Sequence, residues 1–312
     1  MAARTIADID VSGKTVLMRV DFNVPLEGGK VANDKRIIAA LPSIKKVIEG
    51  GGKLVLMSHL GRPKGKGFDA AFSLKPVAER LGELLGKPVR LGPAEVVGSE
   101  TETMAADLAP GDVLLLENLR FHPGETMPDK AKKNPDGKLT AEQEQTHAEF
   151  VEALGRLGEV YVNDAFGTCH RKHASMYGVA KAVRAKGGPA VAGFLVEKEI
   201  RYLHEAVADP KRPFVAILGG VKVSDKIKLI STLLEKVDRI LIGGAMAYTL
   251  LKAKGTPVGK SLVEEEQVEE MKPLLESAGE KIVLPADHVV TCLLYTSPSP
   301  RDLSTSRMPS SA

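Results

Sequence analysis

Apolar residues occur along this chain in two kinds of segment, short continuous runs and longer stretches with helical spacing. The runs at 53–58 and 112–118 are almost uninterrupted, which is typical of strands buried on both faces of a sheet. The stretch at 35–49 repeats apolar residues every three or four positions and ends at three glycines. Because strand and helix patterns alternate along the sequence, we predict an α/β fold with mainly parallel sheets.

This alternation predicts two Rossmann-like, three-layer α/β/α domains. We place the first at residues 1–186 and the second at 209–290, with strands at 15–24, 53–58, 89–91, 112–118, 159–164, 214–218, 239–242 and 281–284. Residues 27–30 are predicted to form a hairpin or tight turn. Residues 187–208 are predicted to form an interdomain hinge, in which a glycine pair precedes one helix at 189–208.

The last part of the chain has a different character. From residue 291 onward Ser, Thr and Pro dominate and no periodicity remains, so we expect residues 291–312 not to form a packed element. Two interpretations stay open: a non-native sequence derived from an adapter or vector, and a genuine disordered tail.

Composition excludes several classes of function. The 312 residues include 43 Lys and Arg against 40 Asp and Glu, a net charge of +3, which argues against the broad basic surface of a nucleic-acid-binding protein. No apolar run approaches the roughly 20 residues of a membrane span, and the N-terminus lacks a signal-peptide core. We therefore expect a cytoplasmic protein without nucleic-acid or membrane partners.

The segment 214–226, FVAILGGVKVSDK, is the most informative stretch of the second domain. An apolar strand ends at Gly219 and Gly220, and Lys222, Ser224 and Lys226 lie at the start of the following helix, with Ser224 as its predicted cap. Glycines let a phosphate approach the backbone at a helix N-terminus, and lysines supply counter-charge. The segment is therefore either a phosphate cradle or an ordinary tight turn with two solvated lysines.

Basic residues follow three predicted strands or open a helix in the first domain. The set comprises Arg36, His59, Arg62, Arg120, His170 and Arg171. The carboxyl ends of parallel strands meet at one sheet edge, where open α/β sheets bind ligands. Arginine binds phosphate and carboxylate through two parallel hydrogen bonds, so such a cluster favours a small, doubly anionic substrate.

Common catalytic motifs are absent from the sequence. Neither GxxxxGK[ST] nor GxGxxG occurs, which disfavours P-loop and dinucleotide-binding proteins. Cys169 with His170 and His173 lacks the further ligands of a metal site. The polar segment 127–146 is predicted to be a surface insertion without chemistry. Two anion sites without a covalent nucleophile favour phosphoryl transfer between a bound acid and a nucleotide.

Six motifs in order, RVDFNVP, SHLGRP, LLLENLRFH, YVNDAFGTCHR, GGVKVSDK and IGGAMAYT, resemble those of the phosphoglycerate kinase family. The resemblance implies reversible phosphoryl transfer between 1,3-bisphosphoglycerate and ADP, giving 3-phosphoglycerate and ATP, in glycolysis. It also implies a cytoplasmic monomer that uses Mg²⁺, and in-line transfer on domain closure.

The same resemblance assigns roles to individual residues. It implies that Arg36 and Lys222 act on the transferred phosphoryl group and that Asp225 lies near Mg²⁺. The implied acid-binding residues are Asp21, Asn23, Arg36, His59, Arg62, Arg120 and Arg171. The implied nucleotide-binding residues are Gly219, Gly220, Lys222, Lys226, Gly243 and Gly244.

The sequence departs from the family at two places. Val221 stands where the family more often has Ala, and the tryptophan-containing segment and glycine-rich loop of the family do not follow residue 284, since the chain contains no Trp. We therefore expect an incomplete second domain and a chain with weak activity or none. The alternative hypothesis is a non-catalytic fragment that binds 3-phosphoglycerate or a related anion.

Overall fold

The computed structural model describes residues 4–287, apart from the side chains of 204–206. The predicted tail at 291–312 lies outside the described residues. The chain divides into two compact units, the first ending at His204 and the second beginning at Glu205. Each unit has its own parallel sheet and its own core, which confirms the predicted α/β class.

Six parallel strands form the sheet of the first unit. They are β1 (Thr15–Val20), β4 (Lys53–Met57), β5 (Arg90–Leu91), β6 (Val113–Leu115), β7 (Val160–Asp164) and β8 (Ala190–Ala192), in the spatial order β5-β6-β4-β1-β7-β8. A separate antiparallel hairpin joins β2 (Leu26–Glu27) to β3 (Lys30–Val31), where the sequence predicted a turn. Crossover helices connect the parallel strands, as this topology requires.

Helices cover both faces of this sheet. They are α1 (Lys35–Glu49), α2 (Lys75–Leu85), α3 (Ser99–Ala106), α4 (Ala141–Arg156), α5 (Val179–Ala185) and α6 (Phe194–Ala208). Alternate residues of β1 enter different cores: Val16 and Met18 pack in the cluster that contains residues of α1 and α2, and Leu17 packs with those of α4 and α5. Because successive strand residues point to opposite faces of the sheet, helices pack on both faces and the unit has three layers.

The prediction of a single helix at 189–208 is wrong. Residues 190–192 form β8, which pairs in parallel with β7, and the helix α6 begins only at Phe194. The carboxylate of Asp164 accepts a hydrogen bond from the Leu195 N–H (2.9 Å), so the helix start is capped from the end of β7. A Cβ at Gly193 would collide with that carboxylate, which explains the glycine.

The second unit contains a smaller parallel sheet. Its strands are β9 (Val215–Gly219), β10 (Arg239–Gly243) and β11 (Ile282–Val283), in the order β11-β10-β9, and its helices are α7 (Ile227–Leu234), α8 (Met246–Ala253) and α9 (Val268–Ala278). Ile240 and Ile242 are buried in one cluster with residues of these helices. Ile217 and Leu241, at alternate positions, remain 78% and 36% exposed. Within the described residues, the sheet is therefore packed on one face.

No helix in the described part of the chain has both the length and the apolar character needed to cross a bilayer.

Candidate active site

The loops that follow β1, β4, β6 and β7 lie at the carboxyl edge of the first sheet. Asp21 follows β1 directly, and its carboxylate forms an ion pair of 2.8 Å with Arg36 in the first turn of α1. Half of the Arg36 side chain (52%) remains exposed. Asn23 accepts a hydrogen bond from the Gly61 N–H (2.8 Å), which ties the β1 loop to the β4 loop. Asp21, Asn23 and Arg36 are thus gathered at one edge.

His59 lies just past the end of β4 and is almost fully buried, with 4% of its surface exposed. Burial, followed by the positive charges of Arg19 and Arg120, lowers the pKa of His59 to about 2. His59 is therefore neutral at physiological pH. Neutral imidazole contributes a hydrogen bond to a ligand but no charge.

Gly61 turns the β4 loop back toward the site. Its φ of +58° lies in the left-handed region, and a Cβ at this position would come within 2.5 Å of the Phe72 ring. Its carbonyl accepts a hydrogen bond from Nη1 of Arg120 (2.6 Å). The glycine therefore allows a close approach between two loops and holds one of the predicted arginines.

Arg120 lies in the short 3-10 helix Leu119–Phe121 that follows β6. Asn118 positions this turn: its Oδ1 accepts from the Arg120 N–H (3.1 Å), and its Nδ2 donates to the Leu60 carbonyl (2.7 Å). Burial lowers the pKa of the Arg120 guanidinium, as does the charge of Arg19. Nε of Arg120 is buried without a hydrogen-bond partner, so a bound anion would supply the partner it lacks.

Arg171 follows β7 and forms an ion pair of 2.8 Å with Asp129. Asp129 also accepts a hydrogen bond from His173 Nε2 (3.0 Å). Partial burial raises the pKa of Asp129, but the hydrogen bonds and charges of His173 and Arg171 outweigh burial and lower it. Asp129 belongs to the 3-10 helix Met127–Lys133, in the segment predicted to be without chemistry, so sequence reasoning missed this partner.

Three predicted arginines line one cavity of about 360 Å³. Its wall contains Arg62, Arg120 and Arg171, from three different loops, together with Lys64, Lys130, Lys133 and Asp129. A cavity of this size matches the lower end of small-molecule sites. His59, Asp21 and Arg36 do not line this cavity. His59 nevertheless lies close enough to Arg120 and Arg36 for both charges to affect its pKa.

The predicted glycines of the second unit also come together. Gly219 and Gly243 are paired across β9 and β10. Gly244 has a φ of +71°, and a Cβ there would come within 2.8 Å of the Gly220 carbonyl oxygen. That carbonyl accepts a hydrogen bond from the Met246 N–H (2.9 Å). Two glycine turns thus meet at the carboxyl edge of the second sheet, where backbone can approach a phosphate.

The predicted cap at Ser224 is wrong. A 3-10 turn, Ser224–Lys226, precedes α7, and the carboxylate of Glu264 accepts from the Ser224 N–H (3.1 Å) and the Ser224 hydroxyl (2.6 Å). Glu264 therefore satisfies the groups that a local cap would satisfy. Lys226 lies beside Gly220, whereas Lys222 and Val221 are exposed.

The family resemblance implies that Asp225 lies near Mg²⁺. Among residues 4–287, no group of three or more His, Cys, Asp and Glu residues is arranged to hold a metal ion. Mg²⁺ in nucleotide sites is commonly bound by one or two carboxylates together with substrate phosphates. Asp225 is exposed and, within the described chain, has no hydrogen-bond or ion-pair partner, so its carboxylate fits this mode of binding.

Comparisons with known proteins decide the family. The family model described as phosphoglycerate kinase matches residues 6–309. The chain belongs to the phosphoglycerate kinase family. Its members are phosphotransferases of glycolysis with ATP and ADP as nucleotide substrates. The match includes most of residues 291–312, so it does not separate that tail from the rest of the chain.

Two phosphoglycerate kinases illustrate the similarity. The protein from Enterococcus faecalis is 55% identical over 291 residues, covering 93% of this chain and 68% of the relative. That from Lactobacillus delbrueckii subsp. lactis is 53% identical over 289 residues, covering 93% and 69%. This chain thus spans about two thirds of the length of these two relatives.

Solved phosphoglycerate kinase structures share the fold. The structure from Coxiella burnetii has a TM-score of 0.75 at 36% identity, covering 91% of this chain and 66% of the other. The structure from Pyrococcus horikoshii has a TM-score of 0.70 at 31% identity, covering 90% and 67%.

Proposed function

We propose that the first unit binds 3-phosphoglycerate or 1,3-bisphosphoglycerate, and that the glycine turns of the second unit bind the phosphates of ATP or ADP. The chain would then take part in reversible phosphoryl transfer between the two. The convergence of Arg62, Arg120 and Arg171 from separate loops on one cavity supports this proposal most strongly.

The acid site suits a small anion with a phosphate and a carboxylate. Arginines supply paired donors to phosphate oxygens, and the unpartnered Nε of Arg120 gains an acceptor when an anion binds. His59 is neutral and donates one hydrogen bond to an acid oxygen. Arg36 is half exposed and held by Asp21, so it can reach a phosphoryl group and stabilise its charge.

The nucleotide site supplies backbone and cationic groups. Gly244 packs directly against the backbone of Gly220, Lys226 lies beside Gly220, and Lys222 is exposed at the same turn. Backbone without side chains, together with lysines, suits phosphate oxygens. Asp225 would hold Mg²⁺, which, when bound, neutralises charge on the nucleotide phosphates. Lys222 is exposed and would accompany the transferred phosphoryl group.

A coupled assay of ADP formation from ATP and 3-phosphoglycerate tests the proposal. Arg120→Gln removes a charge from the cavity and should lower kcat/KM by about 10- to 100-fold, as expected for loss of a charged hydrogen bond. Arg156→Gln is a matched control, because Arg156 pairs with Glu102 and lines a separate cavity at the amino edge of the sheet. Equal activity in both variants would contradict the proposal.

A second candidate function is binding without turnover. The exposure of Ile217 and Leu241 on the second sheet favours this candidate, because the nucleotide site belongs to the less completely packed unit. Saturable 3-phosphoglycerate binding with no ADP formation would support the second candidate. Measurable turnover would exclude it.

We also propose, from family membership, a cytoplasmic monomer. Sedimentation at micromolar concentration should give the mass of one chain, and a dimer mass would contradict the proposal.

A further inference from the structure

A connected set of buried polar side chains reaches His59, one of the predicted acid-binding residues. Arg19, in β1, has no exposed surface. Its Nε donates to the hydroxyl of Ser175 (2.9 Å), and its Nη1 donates to the carbonyl of Val20. Its Nη2 lies 3.0 Å from Nδ1 of His59. All three guanidinium nitrogens thus have a partner, and one of these partners is a predicted acid-binding residue.

Ser175 holds the other side of the Arg19 guanidinium. It lies in the π-helical turn Ala174–Gly178, a local geometry common at functional sites. Its hydroxyl donates to Oε1 of Glu125 (2.7 Å), and its N–H donates to Oε2 (2.9 Å). The Tyr161 hydroxyl donates to the Ser175 carbonyl (2.8 Å). Glu125 is fully buried and is linked to Arg19 through the hydroxyl of Ser175.

The contact between Arg19 and His59 has only one possible direction. A guanidinium can donate hydrogen bonds but cannot accept them, so Nδ1 of His59 must be the acceptor. Nδ1 is therefore unprotonated, and the proton of a neutral ring is on Nε2. Within residues 4–287, Nε2 has no hydrogen-bond partner, so its N–H is left for a ligand.

The surroundings of His59 disfavour a charged ring. Burial is the largest cause that lowers the pKa of His59 to about 2, and Arg19, Arg120, His173 and Arg36 are the other causes of this shift. These groups come from β1, from the loops after β6 and β7, and from α1. The imidazolium form, which would donate from both nitrogens, is therefore excluded at neutral pH.

We propose that Arg19 is a positioning residue that fixes His59 as the neutral Nε2–H tautomer, and that Ser175 and Glu125 hold Arg19 in place. The Nε2–H then donates to a carboxylate or phosphate oxygen of the ligand, while the arginines and lysines around the site supply the positive charge. The identity of this ligand rests on the proposed function. The opposite tautomer would present a lone pair to the anion and repel it.

Long-range ¹H–¹⁵N correlation spectra of the full chain test the tautomer without a ligand. The His59→Gln variant identifies the His59 signals. We expect a protonated Nε2 and an unprotonated Nδ1 at pH 7, with no change down to pH 5.5, where a solvent-exposed histidine becomes largely imidazolium. A protonated Nδ1 in the wild-type chain would overturn the inference.

Two substitutions of Arg19 test its positioning role. Arg19→Lys retains a donor-only cation and should keep the Nε2–H tautomer. Arg19→Met removes the donor and should give a mixture of tautomers, together with a roughly tenfold rise in the Kd of 3-phosphoglycerate. An unchanged His59 spectrum in a folded Arg19→Met variant would overturn the positioning role.

Ser175→Ala provides a second, independent variant. It removes the hydroxyl between Arg19 and Glu125 and should also give mixed tautomers, whereas a merely structural residue would lower the melting temperature and leave the spectrum unchanged. If the wild-type chain shows the Nε2–H tautomer but does not bind 3-phosphoglycerate, the proposed function fails and the tautomer stands. If it binds the acid with the other tautomer, only this inference fails.

Discussion

Gly61→Ala tests the packing that brings the β4 and β6 loops together. Gly61 combines a φ of +58° with a Cβ position within 2.5 Å of the Phe72 ring. A left-handed alanine costs roughly 1–2 kcal/mol, and overpacking costs about 1–3 kcal/mol more. We therefore expect the free energy of unfolding of the first unit to fall by about 2–5 kcal/mol, or on the order of 5–15 °C in Tm.

Gly65→Ala is the matched control for this variant. Gly65 has a φ of +68°, but the nearest atoms to its Cβ position, Arg120 O and Pro123 Cα, are 3.7 Å away. It should therefore show only the left-handed cost of roughly 1–2 kcal/mol. Both variants are measured by calorimetric unfolding, and Phe72→Leu in the Gly61→Ala background should recover part of the loss. Equal stability of Gly61→Ala and Gly65→Ala would refute the reasoning.

Three further predictions concern individual carboxylates. Burial raises the pKa of Asp164 from 3.8 to about 6, so its contribution of about 3 kcal/mol is present below pH 3.8 and lost as pH rises through 6. Asp164→Asn should remove this dependence in urea unfolding at pH 4 and pH 7, and an unchanged pH profile would contradict it. Asp129→Asn removes negative charge beside Arg171 but keeps an acceptor oxygen, so calorimetry should show up to about fivefold tighter 3-phosphoglycerate binding; weaker binding would mean that Asp129 mainly orients Arg171. Glu264→Ala removes the acceptor for Ser224 and should destabilise the second unit by about 1–2 kcal/mol in denaturant unfolding, an effect that Ser224→Ala should reproduce only in part.

The sequence predicts the arginine cluster because each member follows a recognisable apolar strand. Arg62, Arg120 and Arg171 are placed by local patterns, and parallel topology brings their loops to one edge. Asp129 could not be predicted in this way, because it lies 42 residues before Arg171 in a polar segment without strand signals. The role of Asp129 is apparent only from the structure, in which it pairs with Arg171.

The buried partners of His59 could not be predicted from local sequence patterns either. Arg19 and Ser175 are 156 residues apart, and no local pattern indicates that a strand arginine meets a serine in a π-helical turn. The missed strand β8 has only three residues, too few for a period of two to be distinguished from the start of a helix. Its pairing with β7 depends on tertiary contacts that the sequence pattern does not express.

Calorimetric titration of the full chain with 3-phosphoglycerate, at low ionic strength and again with added salt, tests the central claim most directly. We predict saturable binding at one site that weakens with salt, is lost in Arg120→Gln and is retained in Arg156→Gln. Absence of binding by a chain whose circular dichroism shows folded α/β structure would contradict the assignment of the arginine-lined cavity as the acid site.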